Sequence, residues 1–304
     1  MNKAVIGVVG TGLMGVGIAT QSALHGHRTI VHDVDPARLA SVAPKAEAVL
    51  DELIDAGRID QAAKQAALAR IETHAALDVM ASARFVIEAI PEILELKHRL
   101  YALLAGLMAD DAILASNTSG FPPDQLVAPL RAKERFLIAH FWNPPHMIPL
   151  VEVVPGTATA PEVTEQTAAL MSAIGMEPVV LEKAIPGFVG NRLQFAVLRE
   201  ALNIVRSGAA TADEVDRVMK ASLGRRWSIV GPLEGADMGG LDTFLDISSH
   251  LMPELAKDED VLALLRQKVD AGRVGVRSGA GFYEWDDAHL AQIREARKHL
   301  ISRG

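Results

Sequence analysis

The chain has 304 residues, of which 49% are apolar and 22% charged, and a net charge of −8. That length allows one large or two modest domains, and the acidic balance argues against nucleic acid or an anionic membrane as partner, since both reward clustered positive charge. The absence of cysteine excludes disulfides, thiolate metal sites and a cysteine nucleophile, and it suits a reducing cytoplasm, which is the expected location.

The N-terminal apolar run behind Lys3 mimics a signal peptide, but its glycines fit a strand entering a turn better. No apolar stretch is long enough to span a bilayer. Residues 4–9 read as a buried strand, and Gly10-Thr11-Gly12-Leu13-Met14-Gly15 follows it at once. Residues 13–24 then read as a helix and 29–32 as a second strand that closes on Asp33. In a G-x-G-x-x-G turn the first two glycines permit a tight bend and close approach to a pyrophosphate. The third lets helix and strand pack, and the helix N-terminus faces the phosphates. The flanking strand and the acid beyond it favour a dinucleotide site over a structural glycine turn. A carboxylate at Asp33 accepts hydrogen bonds from a free ribose 2′-hydroxyl and repels a 2′-phosphate. Val34-Asp35-Pro36 adds a second acid and no arginine, so NAD is expected rather than NADP.

Residues 36–70 are rich in Ala, Leu and mixed charge, and Gly57 divides them into an inserted helical hairpin. Residues 85–90 read as a strand, with Pro91-Glu92 starting a helix to about residue 108. Residues 112–115 form a short strand, and Ser116-Asn117-Thr118-Ser119-Gly120 is the polar loop after it. Ligands of an open parallel sheet bind beyond the strand C-termini, so Glu92 and loop 116–120 should face the cofactor.

Two apolar runs within residues 135–155 flank Asn143, Pro144, Pro145, His146 and Pro149. Prolines cannot donate to a ladder, so this segment turns and brings His140 beside Glu152. A His held by a carboxylate has a fixed tautomer, as a general base needs; a buried His satisfied by a structural carboxylate is the other reading. A helix at 161–174 and a strand at 177–181 complete a first domain, 1–185, and Pro186-Gly187 marks its boundary. Helical patterns at 188–206, 212–223, 242–255 and 260–271 make the second domain, 186–304, all-helical. There is no internal repeat.

The motifs GTGLMG (10–15), IEAIPE (87–92), SNTS (116–119), HFWNP (140–144), LVEV (150–153), PGFVGNR (186–192) and GAGFY (279–283) resemble the NAD-dependent 3-hydroxyacyl-CoA dehydrogenase family, from Ala4 to Tyr283. The resemblance implies an α/β, Rossmann-like dinucleotide-binding domain followed by an all-helical, 6-phosphogluconate-dehydrogenase-like C-terminal domain, in a homodimer. It implies His140 as general base, Glu152 as its orienting partner, and Ser119 and Asn191 as donors to substrate oxygens. Gly10, Gly12, Leu13, Met14 and Gly15 would form the cofactor turn, with Glu92, Lys97, Asn117 and Asn143 near the nicotinamide half. On the residues alone, Asn191 is a poor helix former on the same face as Phe195 and Leu198, or a helix-start cap, and Ser119 could be a turn serine. Rival readings are a Ser119–His140–Glu152 hydrolase triad, which lacks a G-x-S-x-G elbow, and a metal site from His140, His146 and Glu152, which lacks H-E-x-x-H spacing. A third is a non-catalytic NAD-binding structural protein, which has no use for a base.

The substrate is where the pattern departs from fatty-acyl relatives. The hairpin offers Lys45 and Arg58 but also Glu47, Asp51, Glu52, Asp55 and Asp60, a poor cradle for the phosphates of CoA. His146 follows the double proline where those enzymes more often have an apolar residue. The stretch 224–232, expected as a loop, carries Arg225 and Arg226, and an arginine fork is the expected device for a carboxylate, although both could be solvated surface residues. These features resemble the branch containing lambda-crystallin, an L-gulonate 3-dehydrogenase, together with pyridine-carboxylate and L-carnitine dehydrogenases. A small carboxylated hydroxy compound is therefore expected, with an L-3-hydroxyacyl-CoA as the alternative and Arg225, Arg226 and His146 as candidate substrate ligands.

Overall fold

The leading apolar run is strand β1 (Ile6–Val9), which feeds helix α1 (Leu13–Leu24) through the glycine turn and returns as β2 (Thr29–His32). The computed structural model describes residues 3–257 and 259–303. Contacts divide the chain into two units, Met1–Val189 with Ile293–Gly304, and Gly190–Gln292.

After β2 comes the inserted hairpin: α2 (Pro36–Ala40), α3 (Val42–Asp55) and α4 (Gln61–Leu68). Asp35 and Asp60 cap the first and last of these, each accepting at 2.8 Å from a backbone N–H, of Ala37 and Ala63 respectively. Gly57, at φ 70°, makes the expected break. Strand β3 (Ile71–His74) was not expected. Its sequence, IETH, lies at the sheet edge with residues only partly covered, so neither an apolar run nor clean alternation marks it. The unit continues through β4 (Phe85–Glu88), α5 (Leu94–Leu104), β5 (Ile113–Ser116), α6 (Pro123–Leu126), β6 (Phe136–Phe141), β7 (Leu150–Pro155), α7 (Pro161–Ala173) and β8 (Glu177–Val180).

The eight strands form one sheet in the order β3-β2-β1-β4-β5-β6-β7-β8, parallel throughout except for the antiparallel β6–β7 pair. The first six follow the doubly wound order in which β1 and β4 begin two halves, and the crevice between those halves lies beyond the strand C-termini. Residues alternate into two buried layers. Ile6, Val8, Val31 and Ile87 face one side, and Val9, Ile30, Val86 and Ile138 the other. Each such side chain stabilises the fold by about 1.5–3 kcal/mol. The sheet is thus a rigid platform whose strand ends carry the polar groups.

One helix start differs from expectation. Pro91 and Glu92 precede α5, which begins at Leu94 with Ile93 extended at φ −127° and ψ 113°. The Ile90 N–H donates to the Glu88 carboxylate at 2.8 Å, and Glu92 turns its own carboxylate to loop 116–120, so this segment is bent outward before the helix can begin.

The second unit is helical, with α8 (Gly190–Ser207), α9 (Ala212–Ala221), α10 (Leu223–Trp227), α11 (Pro232–Gly239), α12 (Leu241–Leu251), α13 (Leu262–Asp270) and the start of α14 (Asp287–Arg303). Among the described residues only isolated bridges at 275–284 add β character to it. The stretch expected as a loop at 224–232 instead contains most of α10, and Pro232 opens α11. The Tyr283 hydroxyl donates to Asp216 at 2.8 Å and anchors the 279–285 segment to α9. Among the described residues no helix is long and apolar enough to cross a membrane.

Candidate active site

The glycine turn has the steric character its spacing implies. Gly10 sits at φ 105°, and a Cβ there would lie 2.6 Å from the Ala89 carbonyl oxygen. A Cβ on Gly15 would lie 1.9 Å from the Gly10 carbonyl oxygen, so the turn closes only without a side chain. Gly12, the N-cap of α1, is different: a Cβ there meets no protein atom within 4 Å. The backbone is bare there toward open space at a helix N-terminus, as a pyrophosphate requires. Leu13 is exposed at the rim and Met14 packs on the core.

Asp33 stands at the end of β2, 9% exposed. Its Oδ2 accepts from the Thr11 N–H at 3.1 Å and the Thr11 hydroxyl at 2.6 Å, and its Oδ1 accepts from the Asp35 N–H at 3.1 Å. Burial on its own would raise this carboxyl, but the hydrogen bonds from Thr11 and Asp35 outweigh it and hold the pKa below the ordinary value. The group is therefore a fixed anion. The bare turn, the open helix end and this anion together fit NAD.

Strands β6 and β7 pair so that His140 stands directly opposite Glu152. His140 Nδ1 lies 2.8 Å from Glu152 Oε2, and the two residues are 7% and 1% exposed. A carboxylate at Nδ1 selects the tautomer protonated there and leaves the lone pair on Nε2. Glu152 Oε1 also accepts from the Val189 N–H at 2.8 Å. The Phe188 ring lies 5.5 Å from the imidazole and the Trp142 ring 6.3 Å, both tilted at 57°. Phe188 adopts φ 50°, a conformation that costs a non-glycine residue about 1–3 kcal/mol. Sequence reading did not single out Phe188, although it lies inside PGFVGNR; no pattern announces that a side chain will be turned onto a particular imidazole.

Loop 116–120 and Glu92 do face the strand ends. Glu92 Oε1 accepts from the Thr118 hydroxyl and from the Gly120 N–H, and its Oε2 lies 3.2 Å from Lys97 Nζ. Lys97 is 1% exposed, and its ammonium reaches Glu88 at 2.7 Å. Asn117 Oδ1 accepts from the Phe141 N–H at 2.9 Å, which joins the loop to the strand residue after His140. Ser119 and Asn143 are exposed. Two residues missed from sequence, Glu88 and Tyr101, form the buried centre of this group. Burial and then the Glu88 charge push the Tyr101 phenol well above its ordinary pKa, so it remains a donor.

His146 is turned elsewhere. Its Nε2 lies 3.0 Å from Glu52 Oε2 on α3, and its Nδ1 is buried without a hydrogen-bond partner. The neighbouring Pro145 fits against α1 because residue 17 is glycine; a Cβ there would lie 3.0 Å from the proline ring. In the hairpin, Lys64 is held by Asp51 at 2.6 Å and Glu47 at 3.0 Å, and Arg58 donates to the Ile301 carbonyl at 3.1 Å. In the second unit, Asn191 lies in the first turn of α8, two residues beyond Val189, and Arg225 and Arg226 lie exposed on α10.

Two family profiles match in tandem, "3-hydroxyacyl-CoA dehydrogenase, NAD binding domain" over residues 5–185 and "3-hydroxyacyl-CoA dehydrogenase, C-terminal domain" over 187–285. The chain belongs to the 3-hydroxyacyl-CoA dehydrogenase family. It is similar to the 5-formyl-3-hydroxy-2-methylpyridine 4-carboxylate 5-dehydrogenase of Mesorhizobium japonicum, at 36% identity over 98% of this chain and 96% of the relative. A solved structure of an NAD-dependent enzyme of that name superposes with a TM-score of 0.87, covering 98% of this chain and 96% of the other at 32% identity. The 3-hydroxybutyryl-CoA dehydrogenase of Bradyrhizobium diazoefficiens is 34% identical over 95% of this chain and 98% of its own length. As a member of the 3-hydroxyacyl-CoA dehydrogenase family, the chain is an NAD-dependent oxidoreductase acting on a hydroxyl group, and the expected Rossmann-like and helical halves are both present.

Proposed function

We propose that this protein oxidises the hydroxyl of a small carboxylated compound of the 3-hydroxy acid type, with His140 as general base. The observation that carries the base assignment is the 2.8 Å contact between His140 Nδ1 and buried Glu152. NAD, when bound, accepts the hydride from the carbinol carbon. The hydroxyl on that carbon must shed its proton as the carbonyl forms, and the lone pair on His140 Nε2 receives it. Glu152 then balances the imidazolium, while the Phe188 and Trp142 rings limit water around it. From the family resemblance, Ser119 and Asn191 donate to the substrate oxygens. Glu92, Lys97, Asn117 and Asn143 serve the nicotinamide half.

The preference for a free acid rests on charge. Of the hairpin cations, Lys64 is engaged by Asp51 and Glu47 and Arg58 donates to the Ile301 carbonyl, which leaves Lys45 exposed; His146 adds no outward cation because it meets Glu52. A phosphate-rich handle would have to break those contacts to gain any of these cations beyond Lys45. The exposed arginines of α10, Arg225 and Arg226, are of the type that grips a carboxylate in a bidentate fork. Similarity to an enzyme named for a pyridine carboxylate supports the same reading, and similarity to a 3-hydroxybutyryl-CoA dehydrogenase supports the alternative, an L-3-hydroxyacyl-CoA. Residues 1–185 would carry the cofactor, and the helical domain that begins at 186 would contribute to substrate binding and form a homodimer. Apolar residues on α11 such as Leu233, 82% exposed, and Met238, 77% exposed, support the dimer, and the lack of cysteine suits the cytoplasm.

The reading is tested by titrating the protein–NADH complex and following NADH fluorescence. Small 3-oxo carboxylates and carboxylated ring aldehydes should give a saturable change, whereas acetoacetyl-CoA should give none. Saturable binding of acetoacetyl-CoA with no response to free acids overturns it.

A further inference from the structure

Glu88 ends β4 with no exposed surface, and its carboxylate collects four donors. Oε1 accepts from Lys97 Nζ at 2.7 Å and the Ile90 N–H at 2.8 Å; Oε2 accepts from the Tyr101 hydroxyl at 2.5 Å and the Ser116 hydroxyl at 2.7 Å. Lys97 and Tyr101 are four residues apart on α5, so both reach the same carboxylate from one helix face. The Ser116 oxygen in turn accepts from the Thr118 N–H at 3.2 Å, and the Asn117 N–H donates to the Glu88 carbonyl at 2.8 Å. One buried carboxylate therefore ties together the ends of β4 and β5 and the first turns of α5.

These are the strand ends of the second half of the sheet. Asp33, on the first half, marks the adenosine side, so the opposite half receives the nicotinamide side. A buried ion pair is a weak source of stability compared with apolar side chains of the same volume, so its position under the crevice calls for another reason. Lys97 divides its charge between Glu88 below and Glu92 at the rim, whose side chain is 41% exposed. Glu88 thus decides how far the ammonium is drawn down and where Glu92 and loop 116–120 come to rest.

We infer that Glu88 is a positioning residue for the nicotinamide half of the cofactor, acting through Lys97 on Glu92 and through Ser116 on loop 116–120. The inference rests on NAD lying across the strand ends and is independent of which hydroxy compound is oxidised. In Glu88→Gln the anion is lost, Lys97 pairs with Glu92 alone, and the rim is drawn inward.

The test compares two ligands on the full-length protein: NADH, by its fluorescence, and ADP-ribose, which lacks the nicotinamide, by calorimetry. Glu88→Gln should weaken NADH by about tenfold, the loss expected for a hydrogen bond to a charged group, and leave ADP-ribose within about twofold of wild type. Ser116→Ala, which keeps the ion pair, should weaken NADH alone by about fivefold, and it carries the test if Glu88→Gln does not fold. Equal weakening of both ligands would mean a purely structural role and overturns the inference, as does unchanged NADH affinity in the variants.

Discussion

Replacing His140 by Gln is expected to lower kcat by about 10²–10⁴-fold while NADH binding stays close to wild type. Gln keeps a polar group of similar reach beside Glu152, so the buried carboxylate is not left without a donor, yet an amide cannot accept the hydroxyl proton. Because His140 lies opposite Glu152 in the β6–β7 register and not in the glycine turn, its loss should fall on turnover and leave the cofactor site intact. Glu152→Gln should be milder in chemistry and harsher in stability. Removing the anion deprives the imidazolium of its counter-charge and deprives the Val189 N–H of a charged acceptor. Steady-state rates paired with NADH titration separate the two effects. An unchanged rate in His140→Gln would place the proton acceptor elsewhere.

Gly15→Ala should abolish NADH binding and lower the melting temperature, whereas Gly12→Ala should weaken NADH without touching stability. The difference follows from what each Cβ would meet. At residue 15 it would stand 1.9 Å from a backbone oxygen that has nowhere to move, since Gly10 is itself held at φ 105° against the Ala89 carbonyl. Overpacking of this kind costs about 1–3 kcal/mol or more. At residue 12 the methyl group would enter space that holds no protein atom, so any loss of affinity reports a ligand approaching that point. Thermal melts and NADH titrations of both variants check the pair; a destabilised Gly12→Ala, or a Gly15→Ala that binds normally, would contradict it.

The cofactor half was legible because its constraints are local. A strand, a fixed glycine spacing and an acid at the next strand end are consecutive in sequence, and each has a steric or electrostatic reason. The His140–Glu152 pair was legible for a related reason, since two strands joined by a proline-rich turn restrict the register and leave few partners for a buried carboxylate. What sequence left hidden was set by tertiary approach. Glu88 looked like one more residue of an apolar strand, and only the fold shows Lys97, Tyr101 and Ser116 converging on it. Gly17 has no local signature as a seat for Pro145, which comes from a distant loop. His146 stood out by its unusual place after two prolines, but its partner, Glu52, is 94 residues away in the inserted hairpin. Strand β3 escaped because an edge strand with polar residues needs no apolar pattern.

That His146–Glu52 contact also bears on substrate. It joins the loop after His140 to α3, and the same hairpin turns Lys64 inward onto Glu47 and Asp51. With Lys64 and Arg58 engaged, the hairpin offers a diphosphate little beyond the exposed Lys45, whereas a free carboxylate needs only one well-placed guanidinium. The measurement that tests this most directly is the rate of NADH formation at 340 nm with the wild-type protein, NAD, and a panel pairing free 3-hydroxy acids and hydroxylated ring carboxylates with L-3-hydroxyacyl-CoA thioesters. The expected result is saturable turnover of at least one free acid, with kcat/KM exceeding that of every thioester. Saturable turnover of a thioester with no activity on any free acid would contradict it.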